Sequence, residues 1–521
     1  MYRILTASKD SYVTNKIIDN SFRATDANVG KAATLDLFKL YAESTSGSDT
    51  SPIELSRAVV KFNLNALRSL TGSILDIGHS SFKCTLKLTD VYGGQTCPSN
   101  FKLIVFPLSK SFDEGIGRDI VRFADVDSCN WLTSSISNST TAVTWSLGGA
   151  NHQGLLGSSN IDIISSGNLN DGSGIVNLWK QQVFSTGEED LSIDVTTIVS
   201  ATLKNIIPDH GFRISYTGSE ETDTVTRFVK RFGSTNASNP NLRPQLIVEY
   251  NDATQDHHRS FYFNISGSLF LNNFHRGVFA NILSGASATK ITGDNSLILR
   301  LTSGSTGRNT FFQKIITASQ HSVGNNSITG VYSASFAVSQ FSASNSGETR
   351  QSTRPLEKEI KNAGSATFTE IWESLDGTVA FLTSSFVVNS VQRSSFSNQP
   401  KRLLASITNL QSEYSKDSKI KIRVFVEDVD RPIKYKKVPF VNDGEIFTSM
   451  YYRVIDSMSG DVVIPYGLSG STLLSTDSDG MYFNFYVDSL HMGRSYKFEF
   501  LVKDMGVDQY FDNVASSFSV I

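Results

Sequence analysis

An acid followed by two imidazoles, Asp256-His257-His258, is the string in this chain that most invites chemistry. Such a set could hold a metal ion or serve a phosphoesterase. Neighbours on a strand point to opposite faces, however, and no further acid or His cluster is spaced to complete a site, so the string reads as an interdomain linker. Asp113-Glu114 and Trp372-Glu373 offer carboxylates near aromatics, which a glycosidase could use as acid and base. That chemistry requires two carboxyls facing across a cleft, and ordinary surface acids are the simpler reading. Gly115-Ile116-Gly117 lacks the remaining spacing of a nucleotide-binding loop. Asp477-Ser478-Asp479-Gly480 has the alternating oxygens and turn-making Gly that open a calcium loop. The downstream acid is missing, and a β-hairpin turn accounts for it better. Asp428 and Asp430, before Arg431-Pro432, read as a polar turn. No G-x-S-x-G, P-loop or HExxH string is present, and nothing points to a scattered Ser-His-Asp triad. The expectation is a protein that is not an enzyme, with no catalytic residues, no metal ligands and no cofactor.

Exposed indoles are the other candidates, because a flat ring can cover the apolar face of a pyranose. Trp131, Trp145 and Trp179 fall in a long loop-rich stretch and are the candidate carbohydrate contacts. Core packing or loop anchoring is the more usual role of Trp. The sequons at Asn138, Asn236, Asn264 and Asn325 carry little meaning without an export signal.

Strands must position whatever these residues do. Ala58, Val60, Phe62 and Leu64 alternate with Arg57, Val59, Lys61 and Asn63. The same period of two runs through Cys84–Leu88, through Phe261, Phe263 and Ile265, through Tyr332–Val338 and through Met481–Val487. Each pattern fits an antiparallel strand with one face on a core and one in water. Helical periodicity is confined to short stretches at 65–70 and 195–203. With 521 residues the chain is too long for one core. Aromatics at 11% suffice to fill several, while charged residues at 19% leave Ser, Thr and Asn to supply polarity, which favours strands and turns. Breaks in the alternation near 251–258 and 398–402 divide the chain into 1–252, 258–400 and 401–521; the polar stretch 344–354 reads as a loop within the middle module. In the last module, Leu490-His491-Met492-Gly493-Arg494-Ser495-Tyr496 resembles the tyrosine corner of immunoglobulin-type sandwiches, where the phenol bonds back to the backbone.

Charge and cysteine usage narrow the function. Net charge is −3, with 47 basic and 50 acidic residues dispersed along the chain, so there is no basic block for nucleic acid. No stretch approaches the ~18 apolar residues of a membrane span. The three cysteines, at 84, 97 and 129, form no CxxC pair. Residues Met1–Leu5 turn polar by Ser8, without the apolar core of a signal peptide. These features suggest cytoplasmic synthesis and release by another route such as lysis.

Several strings fall in the order of a known family. Asp10-Ser11-Tyr12-Val13, Asn28-Val29-Gly30, the strand Arg57-Ala58-Val59-Val60-Lys61-Phe62-Asn63-Leu64 (an "R-x-x-x-K-F-D-L" pattern with Asn63 in place of the acid), Asp194-Val195-Thr196, Gly211-Phe212-Arg213-Ile214 and Arg243-Pro244-Gln245-Leu246 together resemble the DNRLRE-type jelly-roll domain. The resemblance implies an accessory, often carbohydrate-associated module without catalysis. Over its full length, including Gly330–Phe336 and Leu473–Tyr482, the chain resembles structural proteins of marine contractile-tailed phages.

The expected fold is therefore all-β: an N-terminal jelly-roll sandwich over 1–252, then two Ig-like β-sandwich domains over 258–400 and 401–521. The expected role is a structural component of a tailed-phage virion, in its tail, baseplate or neck. It would work by assembly with other virion proteins as a symmetric homo-oligomer, binding neither nucleic acid nor membrane. A carbohydrate-binding receptor-recognition or adhesin module is the alternative, and a polysaccharide-degrading enzyme a third.

Overall fold

The computed structural model describes residues 1–44, 52–71, 75–91, 94, 96–121, 128–137, 141–285, 287–303, 312–323, 326–338, 360, 362–390, 401–430, 444–504, 506–512 and 514–521. The chain is all-β, with 50% of residues in strands and 6% in helices. It divides into two units, one of residues 3–71 with 82–249, the other of 1–2, 72–81 and 250–521.

The first unit is built on a sheet ordered Lys180–Phe184, Phe101–Pro107, Phe212–Tyr216, Ile53–Phe62, Tyr2–Thr14, Gln245–Glu249, Lys83–Leu88, Leu191–Asp194. Thr34–Tyr41 branches from it, pairing with Ile53–Phe62 and with Arg227–Gly233. Alternation survives where one face is wet, as in Lys83–Leu88, whose Cys84, Leu86 and Leu88 are buried. Ile53–Phe62 differs. Most of its residues are buried on both faces, including Glu54, Ser56 and Arg57, so its polar positions must find partners inside the protein. The short helices at 65–70 and 195–203 appear as Asn65–Arg68 and Thr196–Leu203. A third, Gly218–Thr222, starts from a capping box made by Thr217 and Glu220.

In the second unit a seven-stranded sheet runs Phe261–Tyr262, Ala380–Asn389, Ser365–Glu373, Leu297–Ser303, Phe312–Val323, Asn326–Ala337, Ser266–Asn272. Its two outermost strands are consecutive in the chain. The expected unbroken strand through Phe261, Phe263 and Ile265 does not form, because Asn264 takes a left-handed conformation with φ 65°. There the chain changes partners. Phe263 N–H donates to Asn389 and Asn264 N–H to Val338, so one run serves both edges of the sheet. Its interior is aromatic, with Phe261, Phe336 and Phe386 in mutual ring contact beside buried Trp372 and Tyr332.

Residues 401–521 form two further sheets. One runs Leu403–Ile407, Lys419–Asp428, Gly480–Tyr486, Ser475–Asp477. The other runs Glu413–Tyr414, Phe518–Val520, Ser495–Asp504, Met450–Asp456, Val462–Ile464, with Val507–Phe511 paired beside Ser495–Asp504. They meet through rings: Tyr452 on Phe483 at 4.3 Å, and Phe485 edge-on to Phe498 at 5.4 Å. In both sheet systems an early strand lies parallel to the last one. Phe261–Tyr262 pairs with Val388–Asn389, and Glu413–Tyr414 with Ser519–Val520. The tyrosine-corner hydrogen bonds are present. Tyr496 is buried, its hydroxyl accepting from His491 N–H at 3.0 Å and donating to His491 O at 3.3 Å.

Removing that hydroxyl deletes both of its hydrogen bonds to the His491 backbone. Tyr496→Phe should cost about 1 kcal/mol, read as a lower denaturant midpoint with an unchanged slope for the transition of these sheets.

Candidate functional site

Arg57, Arg213 and Glu221 come together in the first unit from three elements. Ile53–Phe62 delivers Arg57 and Phe212–Tyr216 delivers Arg213, neighbouring strands paired Phe212↔Val60 through Ile214↔Ala58. The capped helix that follows Tyr216 turns Glu221 back toward both. Arg57 and Glu221 form a bidentate ion pair, Nε–Oε1 2.8 Å and Nη2–Oε2 2.7 Å. Arg57 Nη1 also donates to the carbonyls of Gly149 at 2.9 Å and Gly148 at 3.2 Å. A Cβ at Gly149, where φ is 74°, would lie 2.5 Å from Arg57 Nη1 and 2.6 Å from the Trp131 ring. Only glycine lets the backbone come this close.

Arg213 is less well served. Its Nη2 donates to Asn151 Oδ1 at 3.0 Å and lies 3.9 Å from Glu221 Oε1. Its Nε has no hydrogen-bond partner among the described residues, although the residue is only 2% exposed. Burial, with Arg57 alongside, pulls the guanidinium down to about 9, still charged at neutral pH. Burial opposes ionisation of Glu221 too, but Arg57 and then Arg213 outweigh it and hold the carboxyl below its usual range. Arg213 and Glu221 line a cleft of about 380 Å³.

The three tryptophans part company here. Trp145 is buried, its indole N–H donating to Asn130 O at 3.0 Å, so it has no face to offer a ligand. Trp131 lies under the Arg57 guanidinium, 4.9 Å from its ring centre, and against Gly148 and Gly149. Trp179, half-buried, lines the cleft.

Other strings singled out in the sequence converge on a second cluster in the same unit. The Asn28 amide donates to Glu114 O and Cys129 O, both at 2.8 Å, and accepts from Gly117 N–H at 2.9 Å. Gly115-Ile116-Gly117 thus wraps an asparagine side chain. Glu114 accepts from Asp10 N–H at 3.2 Å and Thr235 Oγ1 at 3.3 Å, while Asp113 accepts from Ile136 N–H at 2.9 Å. These acids tie loops to strands and do not face each other across a cleft.

In the second unit Asp256 and His258 meet an acid that is remote in sequence. His258 lies 3.9 Å from Asp256 Oδ1 through Nδ1 and 3.6 Å from Glu370 Oε1 through Nε2. Glu370 went unnoticed in the sequence because it is simply one position of the alternating strand Ser365–Glu373. Trp372 sits in the aromatic core, and Glu373 is held by Arg300 at 2.9 Å. Asp477 opens a hairpin turn closing on Gly480, and its oxygens are taken by Arg423 and Lys421, the latter at 3.0 Å. Asp428 accepts from Asp430 N–H at 3.1 Å in a local turn. Arg431 and Pro432, the sequons at Asn138 and Asn325, residues 344–354 and residues 398–400 lie outside the described residues. Asn264 is exposed, and Asn236 donates to Gly30 O at 3.1 Å. Among the described residues no three of His, Cys, Asp and Glu gather as a metal site.

Comparison with protein families and with curated proteins finds no match. The class the structure defines is an all-β protein of several sheets.

Burial, reinforced by Glu370, raises the Asp256 carboxyl to about 8, and burial raises Glu370 to about 7. Burial pulls His258 the other way. Between about pH 4 and pH 8 the folded chain therefore holds protons that the unfolded chain has released. Their contribution to stability is full below the ordinary carboxyl range and is lost as pH rises through 7 and 8. Thermal unfolding across pH should show Asp256→Asn close to the wild type at pH 4–5 and more stable than it at pH 9, by roughly 2–4 kcal/mol.

Proposed function

We propose that this chain is a structural component of a tailed-phage virion, in the tail, baseplate or neck. In this reading it acts through protein–protein assembly, as a symmetric homo-oligomer among other virion proteins. The observation that carries the proposal is a pair of hairpins in the second unit, Phe274–His275 with Val278–Phe279 and Leu283–Ser284 with Thr289–Lys290. Phe274 (55% exposed), Val278 (69%), Phe279 (45%) and Leu283 (53%) stand in water, and the rings of Phe274 and Phe279 lean on each other at 4.3 Å. Soluble monomers keep such patches small, and larger ones mark contact surfaces.

The charge around these hairpins points the same way. From Ser266 to Gly293 there is no acid, and His275, Arg276 and Lys290 are the only ionisable side chains. An apolar tip with a cationic rim suits a protein surface whose own rim is acidic. The full-length resemblance to phage structural proteins supplies the setting, and closed symmetry is the usual way for many copies to cover such patches.

Mass spectrometry of density-purified infectious particles should find the chain at stoichiometric copy number; its absence would sink the proposal. Light scattering of the purified chain should show an oligomer, and the pair Phe274→Ser, Phe279→Ser should shift it toward monomer while leaving the unfolding free energy of the monomer within about 1.5 kcal/mol of the wild type's.

A further inference from the structure

Arg213 and Glu221 line the cleft of the first unit, and the buried charge they belong to, with Arg57 behind them, is out of balance. Arg57 and Arg213 are both buried, and one carboxylate, Glu221, sits between them. Arg57 takes both oxygens of that carboxylate. Arg213 is left with one amide oxygen from Asn151, the Phe106 ring face at 5.7 Å, a long approach to Glu221 and an Nε without a hydrogen-bond partner among the described residues. The other acid whose field reaches it, Asp162, is already neutralised by Lys110 at 3.0 Å and by three backbone N–H groups. Holding an under-compensated guanidinium away from water is costly, and an anion brought to it from outside relieves that cost.

The walls say which kind of anion. One wall is the main sheet, with Phe106, Arg213 and Tyr216. The other is a separate three-stranded sheet ordered Gln153–Leu155, Ile163–Asn168, Ile175–Asn177. Both of its outer strands reach the cleft, through Gln153 and Asn177, and Ile175–Asn177 has no strand beyond it among the described residues. An open strand edge beside a small cleft is the geometry that takes an extended peptide, with backbone groups pairing along the edge and a side chain dropping into the pocket. About 380 Å³ holds one or two side chains and no folded surface. Trp179, two residues beyond that edge strand in the chain, also lines the cleft.

We infer that this cleft is a docking site for an extended acidic segment of a partner protein, which places a carboxylate against Arg213. The choice of a protein occupant rests on the assembly reading above; the carboxylate rests on the geometry alone.

The test uses the full chain labelled with 5-fluorotryptophan. The four tryptophans give four ¹⁹F resonances, and Trp179→Phe assigns the one in the cleft. A blocked peptide of alternating Glu and Val should shift the Trp179 resonance saturably, and its Gln counterpart should not. Asn177→Asp sets a like charge on the wall without touching the Arg57–Glu221 pair, and should weaken the acidic peptide by about tenfold. Arg213→Lys should retain part of the binding and Arg213→Gln should lose it. If the acidic peptide leaves Trp179 unmoved, or Asn177→Asp binds as well as the parent, the inference is overturned. Glucuronate and glucose form separate arms, and a shift with glucuronate but none with the peptide also overturns it, in favour of a saccharide. Failure here leaves the virion assignment standing, whereas absence of the chain from particles removes that assignment and leaves a carboxylate shift intact.

Discussion

Charge buried in strands, and the need to match it, organises the first unit. Lys39 and Lys230 are as inaccessible as any leucine nearby. Lys39 is held by Asp223 at 2.9 Å and by the carbonyl of Val225 at 2.8 Å; Lys230 is held by Asp90 and by the carbonyls of Gly187 and Glu189, both at 2.8 Å. Arg57 and Glu221 repeat the pattern. A group of this kind tolerates no slip in register, because shifting a strand by one residue turns the charge to the opposite face and strands its partner. The sheet is therefore fixed by its polar exceptions as much as by its apolar rule. Among the described residues Arg213 Nε is left without a partner, as is Glu54 Oε1, so the matching is incomplete at both.

Alternation makes most strands legible in the sequence, since period two is a local property and needs only a few neighbouring residues. The two short helices and the tyrosine corner were legible for the same reason, each being contained within about ten residues. The site was not. Arg57 and Glu221 are 164 positions apart, and His258 and Glu370 are 112 apart, distances across which one sequence carries no pairing signal. Arg57 stood in view only as the first residue of a strand pattern. Glu221 could have been suspected, because Thr217 and Glu220 spell a capping box that starts a helix directly after a strand. The interruption at Asn264 was hidden by its own regularity: Phe261, Phe263 and Ile265 alternate as a strand should, and it is the left-handed Asn264, with the hydrogen bonds that residues 263 and 264 donate to the carbonyls of 389 and 338, that breaks the run.

Several residues that looked chemical are used to hold loops. Glu114, Asn28 and the Gly115–Gly117 turn make one knot, and Asp477 makes another with Arg423 and Lys421. A carboxylate whose lone pairs are filled by backbone N–H groups or guanidinium has little left for a substrate. Composition alone cannot separate these acids from a catalytic pair, because the difference lies in what faces them.

The parallel pairing of Phe261–Tyr262 with Val388–Asn389 bears on how this protein carries tension. The chain comes into that sheet at one end of the pair and leaves at the other, so a pull along the polypeptide slides the two strands past each other. Their hydrogen bonds then take the load side by side and must yield together, where an antiparallel hairpin would open like a zipper, one bond after the next. Glu413–Tyr414 against Ser519–Val520 repeats the arrangement. For a parallel pairing loaded in this way, resistance to stretching is set by the barrier to rupture and is largely independent of equilibrium stability.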